Sequence, residues 1–326
     1  MRKFVLTFII FIFVLSFTTI SLCYDTSSSY IWSSDYSATL ETSSSINTSI
    51  NVEDNNSLNL ESGSAILIEQ STGQVLYSHN SHEKLRPASV TKIMSILLIM
   101  EQIDSGKLSY TDQIPCSENA RSMGGSQIWL DTKKTLKVDE MLKAIAVVSA
   151  NDCVTAMAEY LGGTEENFVQ MMNDKAKELG MNDTTFKNCH GIDEDGHITS
   201  AYDIALMSRE LLSNHPDITK YTTIWMDSLR DGKSQLVNTN KLIRTYKGIT
   251  GLKTGSTSLA LYNLSASATR DDLSLIAVIM KAPSTKVRFA EASKLLDYGF
   301  SKFSFKNFGN KNDVIQNVNV SKGIKN

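Results

Sequence analysis

The first regular pattern of apolar and polar residues along this chain consists of short apolar runs separated by turn residues. The runs Ala65–Glu69 and Gln74–Tyr77 flank the polar turn Ser71–Gly73, which predicts a β-hairpin. Further on, the run from Ile93 to Met100 is apolar on nearly every side. A helix without a polar face is typical of a buried position, so this run predicts a central helix.

The middle of the chain carries apolar residues at helical spacing. Four helices are predicted there: Asp139–Val148, Asp152–Tyr160, Glu165–Leu179 and Ala201–Leu212. Strand patterning returns in Leu261–Ala268 and Leu273–Met280, around the turn Thr269–Asp272, and a closing helix is predicted over Thr285–Tyr298. These elements indicate a mixed α/β (α+β) domain, with an antiparallel sheet flanked by helices and a mostly helical insertion.

The N-terminus departs from this globular pattern. Two basic residues precede an apolar run over residues 4–17, and Ser21 and Cys23 occupy the small-residue positions of a cleavage site. Residues 1–23 are therefore predicted to be a secretory signal peptide, which sends the chain across the cytoplasmic membrane to an extracytoplasmic location. An uncleaved membrane anchor and a lipoprotein signal ending at Cys23 are the alternatives, so membrane association stays open.

Residues 24–62 are rich in Ser, Thr and Asn and have few apolar positions. Such a segment cannot bury enough surface to offset its chain entropy, so it is predicted to be a disordered linker. The globular domain is expected to begin at residue 63.

Composition narrows the possible functions. The 326 residues carry a formal net charge of −3 and no basic patch, which argues against a nucleic-acid partner. After cleavage Cys116, Cys153 and Cys189 would remain, an odd and scattered set that forms neither a disulfide framework nor a paired metal motif. The five scattered histidines make no zinc signature, so neither a metal nor another cofactor is expected.

Three short motifs stand in a fixed order: Ser89–Lys92, Ser149–Asn151 and Lys253–Gly255. The first motif supplies a nucleophile and an amine, the second a hydroxyl and an amide, and the third a cation on a strand. These are the groups needed for serine acyl transfer with lysine as the base. Another Ser-x-x-Lys, Ser81–Lys84, lies in a polar stretch with no apolar period behind it. Ser89 is instead expected in the first turn of the buried helix, with the Lys92 side chain on the same face.

This arrangement resembles the low-molecular-mass penicillin-binding D-alanyl-D-alanine carboxypeptidases. The resemblance covers roughly residues 60–305 and includes further segments: Asn188–Gly191, His197–Asp203, Asn238–Leu242 and Gly251–Gly255. It implies a DD-peptidase/β-lactamase-like transpeptidase fold, with residues 63–300 as the catalytic domain and 301–326 as the start of the family's C-terminal β-domain. The chain departs from the family where Ala260 is followed by Leu261 instead of glycine, and where no amphipathic C-terminal helix follows.

The resemblance also implies the roles of the motif residues. Ser89 would attack the penultimate D-alanine of a peptidoglycan pentapeptide stem, with Lys92 as its base, and β-lactam antibiotics would be covalent inhibitors. A lysine with a pKa of about 10.4 is a poor base at neutral pH, so burial and the charge of Lys253 are expected to lower that pKa. Ser149 would relay the proton to the leaving amine, and Asn151 would hold the substrate amide.

The substrate's ends are expected to meet the Lys-Thr-Gly strand. The backbone amides of Ser89 and Ser256 would form the oxyanion hole. Arg288, together with Thr254 beside Gly255, would bind the terminal carboxylate, which suits a planar guanidinium. An arginine on a terminal helix is otherwise a solvated surface charge, and the sequence leaves both interpretations open.

Two other functions compete with this interpretation. A serine β-lactamase shares the nucleophile and the strand cation, and Glu210 with Asn214 has the spacing of a deacylating base, although in a predicted helix. A non-catalytic peptidoglycan-binding protein would not need an intact nucleophile and base. Taken alone, Ser149–Asn151 is also a plain helix-capping turn before Asp152.

Overall fold

The structure is a computed structural model that describes residues 29–33 and 56–307. Its strands are β1 (Ser29–Ser33), β2 (Ser64–Glu69), β3 (Val75–His79), β4 (Gln113–Pro115), β5 (Thr135–Lys137), β6 (Met226–Leu229), β7 (Ser234–Val237), β8 (Ile249–Thr257), β9 (Leu261–Arg270), β10 (Leu273–Ala282) and β11 (Phe303–Asn307). Its helices are α1 (Lys92–Asp104), α2 (Glu118–Ser122), α3 (Val138–Val148), α4 (Asn151–Gly162), α5 (Glu165–Glu178), α6 (Ala201–Asn214), α7 (Thr219–Thr222), α8 (Leu242–Thr245) and α9 (Thr285–Lys302). A 3₁₀ segment, Ala88–Thr91, leads into α1.

Strands from both ends of the described chain build the central antiparallel sheet. Its order is β3, β2, β10, β9, β8, so β8 lies at the edge of this sheet. Ser265 of β9 lies between Lys253 of β8 and Val278 of β10, which fixes the register of the Lys-Thr-Gly strand. The segment between β3 and β8 is mostly helical. The predicted antiparallel sheet with a mostly helical insertion is therefore confirmed.

Alternate residues of the inner strands face two different apolar cores. On β10, Leu275 and Ile279 pack with the core that contains α9, whereas Ile276 and Val278 belong to the core that contains α1. This separation follows from the period of two along a strand. Residues 93–100 of α1 are all buried, so the prediction of a buried central helix is correct.

Contacts of the described residues extend beyond the predicted domain bounds at both ends. Within the predicted linker 24–62, strand β1 pairs with β11, and the backbone N–H groups of Glu61 and Ser62 bind the Glu291 carboxylate of α9. At the other end, α9 continues two residues past the predicted boundary at 300, to Lys302. The predicted signal peptide lies outside the described residues, as do residues 308–326. The division into domains stays a prediction.

Among the described residues no helix is both long enough and apolar enough to cross a membrane.

Candidate active site

Ser89 lies in the 3₁₀ segment before α1, and the prediction that it sits in the first turn of the helix is wrong. Ala88 has φ +49°, a left-handed backbone that L-residues seldom adopt, and regular helix begins only at Lys92. Ser89 is half-buried between the buried Ala88 and Val90. Its hydroxyl therefore stays reachable from outside while its backbone is fixed.

The Lys92 amine is completely buried next to that hydroxyl. Its Nζ lies 3.2 Å from Ser89 Oγ and donates to Asn151 Oδ1 at 2.6 Å and to the His190 carbonyl at 2.7 Å. A neutral amine has two N–H groups and one lone pair, and neither of those two oxygens can donate a hydrogen bond. When both N–H groups bind them, the lone pair is left for the Ser89 hydroxyl.

Burial lowers the pKa of Lys92 to about 7, against a smaller opposing influence of Cys189 and Asp152. A lysine with such a pKa is partly neutral at physiological pH and can accept a proton. Of the two causes predicted from the sequence, burial is the main one. Burial and then the charge of Lys92 also hold the pKa of Lys253 well below its usual value, and because the repulsion between two charged amines is mutual, each amine favours the neutral form of the other.

Ser149 lies at the tight junction between α3 and α4. Its backbone is left-handed, with φ +65°, and its buried Oγ has no hydrogen-bond partner among the described residues. The N-cap residue of α4 is Ala150 and receives no side-chain cap, so the helix-capping interpretation of Ser149–Asn151 is wrong. Asn151 opens α4, and its Nδ2 donates to the Gly124 carbonyl at 2.7 Å, which turns Oδ1 toward Lys92. Ser149 therefore supplies a buried hydroxyl without a partner two residues before the asparagine that binds Lys92.

Strand β8 presses its Lys-Thr-Gly segment against the turn that carries Ser89. A Cβ atom at Gly255 would lie 2.8 Å from the Pro87 carbonyl oxygen and 2.9 Å from Ser89 N, so only glycine fits without displacement. Two residues earlier on β8, the buried Lys253 donates from Nζ to the Thr254 carbonyl at 2.9 Å. The third motif thus meets the first through backbone contact.

The side chains after Lys253 continue along β8, the edge strand of the sheet. Thr254 Oγ1 donates to Thr239 Oγ1 at 2.7 Å, and Ser256 is exposed. The backbone N–H of Thr239 donates to the Val147 carbonyl near the end of α3. Thr239 therefore joins the β8 edge to the segment that carries Ser149. It is a site residue that the motif search did not find.

Arg288 of α9 is buried beside β8 and β9. Its Nη1 donates to the Gly255 and Asn263 carbonyls, each at 3.2 Å, and the guanidinium lies over the rings of Tyr262 and Phe289. Only 5% of Arg288 is exposed, so the surface-charge interpretation is wrong. Burial lowers its pKa to about 10, which leaves it charged at neutral pH. Its buried Nε has no hydrogen-bond partner in the described part of the chain.

The residues of the competing deacylating-base pattern lie apart from these contacts. Glu210 Oε1 accepts a hydrogen bond from Asn214 Nδ2 at 2.7 Å along α6, on its exposed side. Within residues 29–33 and 56–307 no group of three or more His, Cys, Asp or Glu side chains could hold a metal ion.

Sequence comparison finds similarity to one enzyme family. The sequence model of the D-alanyl-D-alanine carboxypeptidase family matches residues 50–284. The chain is 50% identical over 266 residues to D-alanyl-D-alanine carboxypeptidase DacF of Bacillus subtilis, covering 81% of this chain and 68% of that protein. It is 35% identical over 245 residues to DacC of Escherichia coli, covering 73% of this chain and 61% of that relative. The chain thus spans only part of the length of these relatives.

Comparison with solved structures finds similarity to penicillin-binding proteins. Penicillin-binding protein 6B of Escherichia coli superimposes with a TM-score of 0.72 at 34% identity, over 77% of this chain and 81% of that one. Penicillin-binding protein D2 of Listeria monocytogenes, solved in its ampicillin-bound form, gives a TM-score of 0.68 at 30% identity, over 74% of this chain and 99% of that one.

Proposed function

Because this chain belongs to the D-alanyl-D-alanine carboxypeptidase family, we propose that it removes the terminal D-alanine from peptidoglycan stem peptides through an acyl-enzyme on Ser89. The family and the DD-peptidase fold predicted from the motifs are confirmed, and the chain is a serine-type peptidase. One observation carries the proposal. A buried Lys92 amine, with a pKa lowered to about 7, has two of its contacts on oxygens that cannot donate and the third on the Ser89 hydroxyl.

Acylation begins when Ser89 Oγ bonds to the carbonyl carbon of the penultimate D-alanine and its proton passes to Lys92 Nζ. The oxyanion would lie against the backbone amides of Ser89 and Ser256, each donor contributing on the order of 3 kcal/mol. The peptide C–N bond then breaks. The leaving amine takes the proton from Lys92 through the unpartnered Ser149 hydroxyl, and D-alanine departs.

Hydrolysis of the acyl-enzyme reverses these roles. Water attacks the ester carbonyl and gives its proton to Lys92, the ester C–O bond breaks, and the proton returns to Ser89 Oγ. Asn151 would bind the substrate amide, with Lys253 supplying positive charge beside the strand. Because β8 is an edge strand of the sheet, an extended peptide would pair with it.

The enzyme acts outside the cytoplasmic membrane in this proposal, because its substrate is the cell wall and a secretory signal is predicted over residues 1–23. β-Lactam antibiotics would acylate the same serine. The experiment that tests the function is labelling with a fluorescent penicillin followed by assay of D-alanine release from a pentapeptide. A long-lived label with D-alanine release supports the carboxypeptidase, rapid loss of label supports a β-lactamase, and absence of label supports a binding protein.

The β-lactamase alternative loses its main support in the structure. The glutamate that matched a deacylating base binds a neighbouring asparagine on its own helix, and no contact joins it to the Ser89 segment in the described residues. The proposal therefore keeps the carboxypeptidase activity.

Carboxylate recognition by Arg288 and Thr254 gives a prediction. Arg288→Ala should lower kcat/KM for a pentapeptide acid by about ten- to a hundredfold, because a charged hydrogen bond to carboxylate contributes about 1.5–3 kcal/mol. The same peptide amidated at its C-terminus already lacks the negative partner. Wild type and variant should therefore process the amide about equally slowly.

Arg209 is a matched control, since it donates to the backbone carbonyls of Gln70 and Ser71 at 2.8 and 2.7 Å on another part of the domain. Arg209→Ala should leave the preference for acid over amide unchanged. If Arg288→Ala slows the acid and the amide to the same extent, Arg288 supports the fold and does not recognise the substrate.

A further inference from the structure

Asn263 of β9 is a fully buried amide that the motifs do not include and that contacts three separate parts of the site. Its Nδ2 donates to the carbonyls of Arg86 and Pro87, at 2.9 and 3.0 Å, just before Ser89. Its own backbone carbonyl accepts the 3.2 Å hydrogen bond from Arg288 Nη1. One residue therefore contacts both the segment that carries the nucleophile and the cation proposed to bind the carboxylate.

The orientation of this amide is set by the strand on its other side. Asn263 Oδ1 accepts from the backbone N–H of Lys281 at 2.8 Å. Lys281 has φ +58° and lies where the β9–β10 register shifts, so its N–H is directed to the side chain. A backbone N–H can only donate, so the oxygen of Asn263 must face Lys281 and the NH₂ group must face the two carbonyls.

The same residue is also paired with the strand that presses on Ser89. Asn263 lies opposite Gly255 in the β8–β9 register, and the Gly255 carbonyl accepts from the same Nη1 of Arg288. Arg288 is therefore held by two carbonyls, of which one belongs to Asn263. Any shift of the Asn263 amide would move the Ser89 segment relative to Arg288.

We infer that Asn263 is a positioning residue that fixes the distance between the Ser89 nucleophile and the Arg288 guanidinium, and thereby the preference for substrates with a free terminal carboxylate. This inference rests on the proposed function. The reason is geometric, because a substrate bound at one end by Arg288 must place its scissile carbonyl at Ser89. If the scissile carbonyl is displaced from Ser89 by about an ångström, the rate falls by on the order of a hundredfold.

Asn263→Asp tests this role because it keeps the shape and the oxygen facing Lys281 while removing both N–H donors to Arg86 and Pro87. Asn263→Ala removes the same donors without placing a carboxylate beside two carbonyl oxygens. Fluorescent penicillin, added to completion, counts the folded active sites, and D-alanine release is then measured per site on a pentapeptide acid and its amide. Both variants should lose about ten- to a hundredfold in kcat/KM on the acid, and the acid-to-amide ratio should fall at least about fivefold.

Asn173 of α5 provides the matched control. Its Nδ2 donates to the carbonyls of Val169 and Phe186, and its Oδ1 accepts the N–H of Phe186, the same pattern of two donors and one acceptor. Asn173→Asp should lower the thermal unfolding temperature but leave the rate per site and the acid-to-amide ratio unchanged.

Unchanged rates per site and an unchanged ratio in the Asn263 variants would overturn the inference, and so would failure of both variants to fold. A wild-type protein that binds no penicillin and releases no D-alanine would instead reject the proposed function itself. The two failures are therefore distinguishable.

Discussion

Replacing Ser89 with alanine should reduce penicillin labelling to background and lower D-alanine release by on the order of a thousandfold or more, while the fold remains intact. The substitution removes the oxygen atom that is proposed to form the ester. It leaves the packing nearly unchanged, because Ser89 is half-buried and its turn is held through backbone contacts. Labelling is read by gel fluorescence, and folding by the thermal unfolding transition.

The second Ser-x-x-Lys supplies a control for this experiment. Ser81 is buried and accepts a hydrogen bond from Ser78, and Lys84 pairs with Asp183 at 3.9 Å. Ser81→Ala should label like wild type. Should the Ser89 variant still label at wild-type stoichiometry, the nucleophile lies elsewhere and the proposed mechanism fails.

Lys92→Arg should lower the acylation rate by about a hundred- to ten-thousandfold, the range expected when a general base is removed. A guanidinium stays protonated at any pH the protein tolerates, so it cannot accept the serine proton. Lys84→Arg, at the exposed Ser-x-x-Lys, should leave acylation unchanged. The rate constant for penicillin acylation, measured per folded molecule, checks both variants.

The pH dependence of the wild-type acylation rate follows from the need for a neutral Lys92 amine. Burial lowers the pKa of Lys92 to about 7, so the neutral amine is the majority form above that pH and the minority form below it. The acylation rate should therefore fall by about tenfold per pH unit once the pH is well below 7. A rate that stays flat between about pH 5 and about pH 9 would contradict the assignment of Lys92 as the base.

The three motifs could be recognised from residue type and order alone, and the structure brings Lys92 to Ser89 and Asn151, and Gly255 to the backbone of Ser89. The sequence could not predict all of the acceptors that orient the Lys92 amine. One of them is the backbone carbonyl of His190. Every residue type has the same backbone carbonyl, so the sequence does not show which one will bind. Thr239 and Asn263 were given no role for a related reason, since the contacts of each are made only in the tertiary fold.

Burial excluded one of the two interpretations of Arg288 that the sequence left open. Arg288 is at a helical position where both a surface charge and a ligand contact are common, and its packing over Tyr262 and Phe289 excludes the surface charge. Its contact with the substrate carboxylate stays a proposal. Leu261, at a position where the family often has glycine, has a left-handed backbone, with φ +57°. A residue with a Cβ atom seldom adopts this conformation.

The most direct test of the central claim is to identify the residue that is acylated in the unmodified protein. The enzyme is incubated with penicillin, the acyl-enzyme is digested, and the modified peptide is sequenced by mass spectrometry. The adduct is expected on Ser89, in the peptide that also contains Lys92. An adduct on Ser81, Ser149 or any other side chain would contradict the account, as would the absence of any adduct.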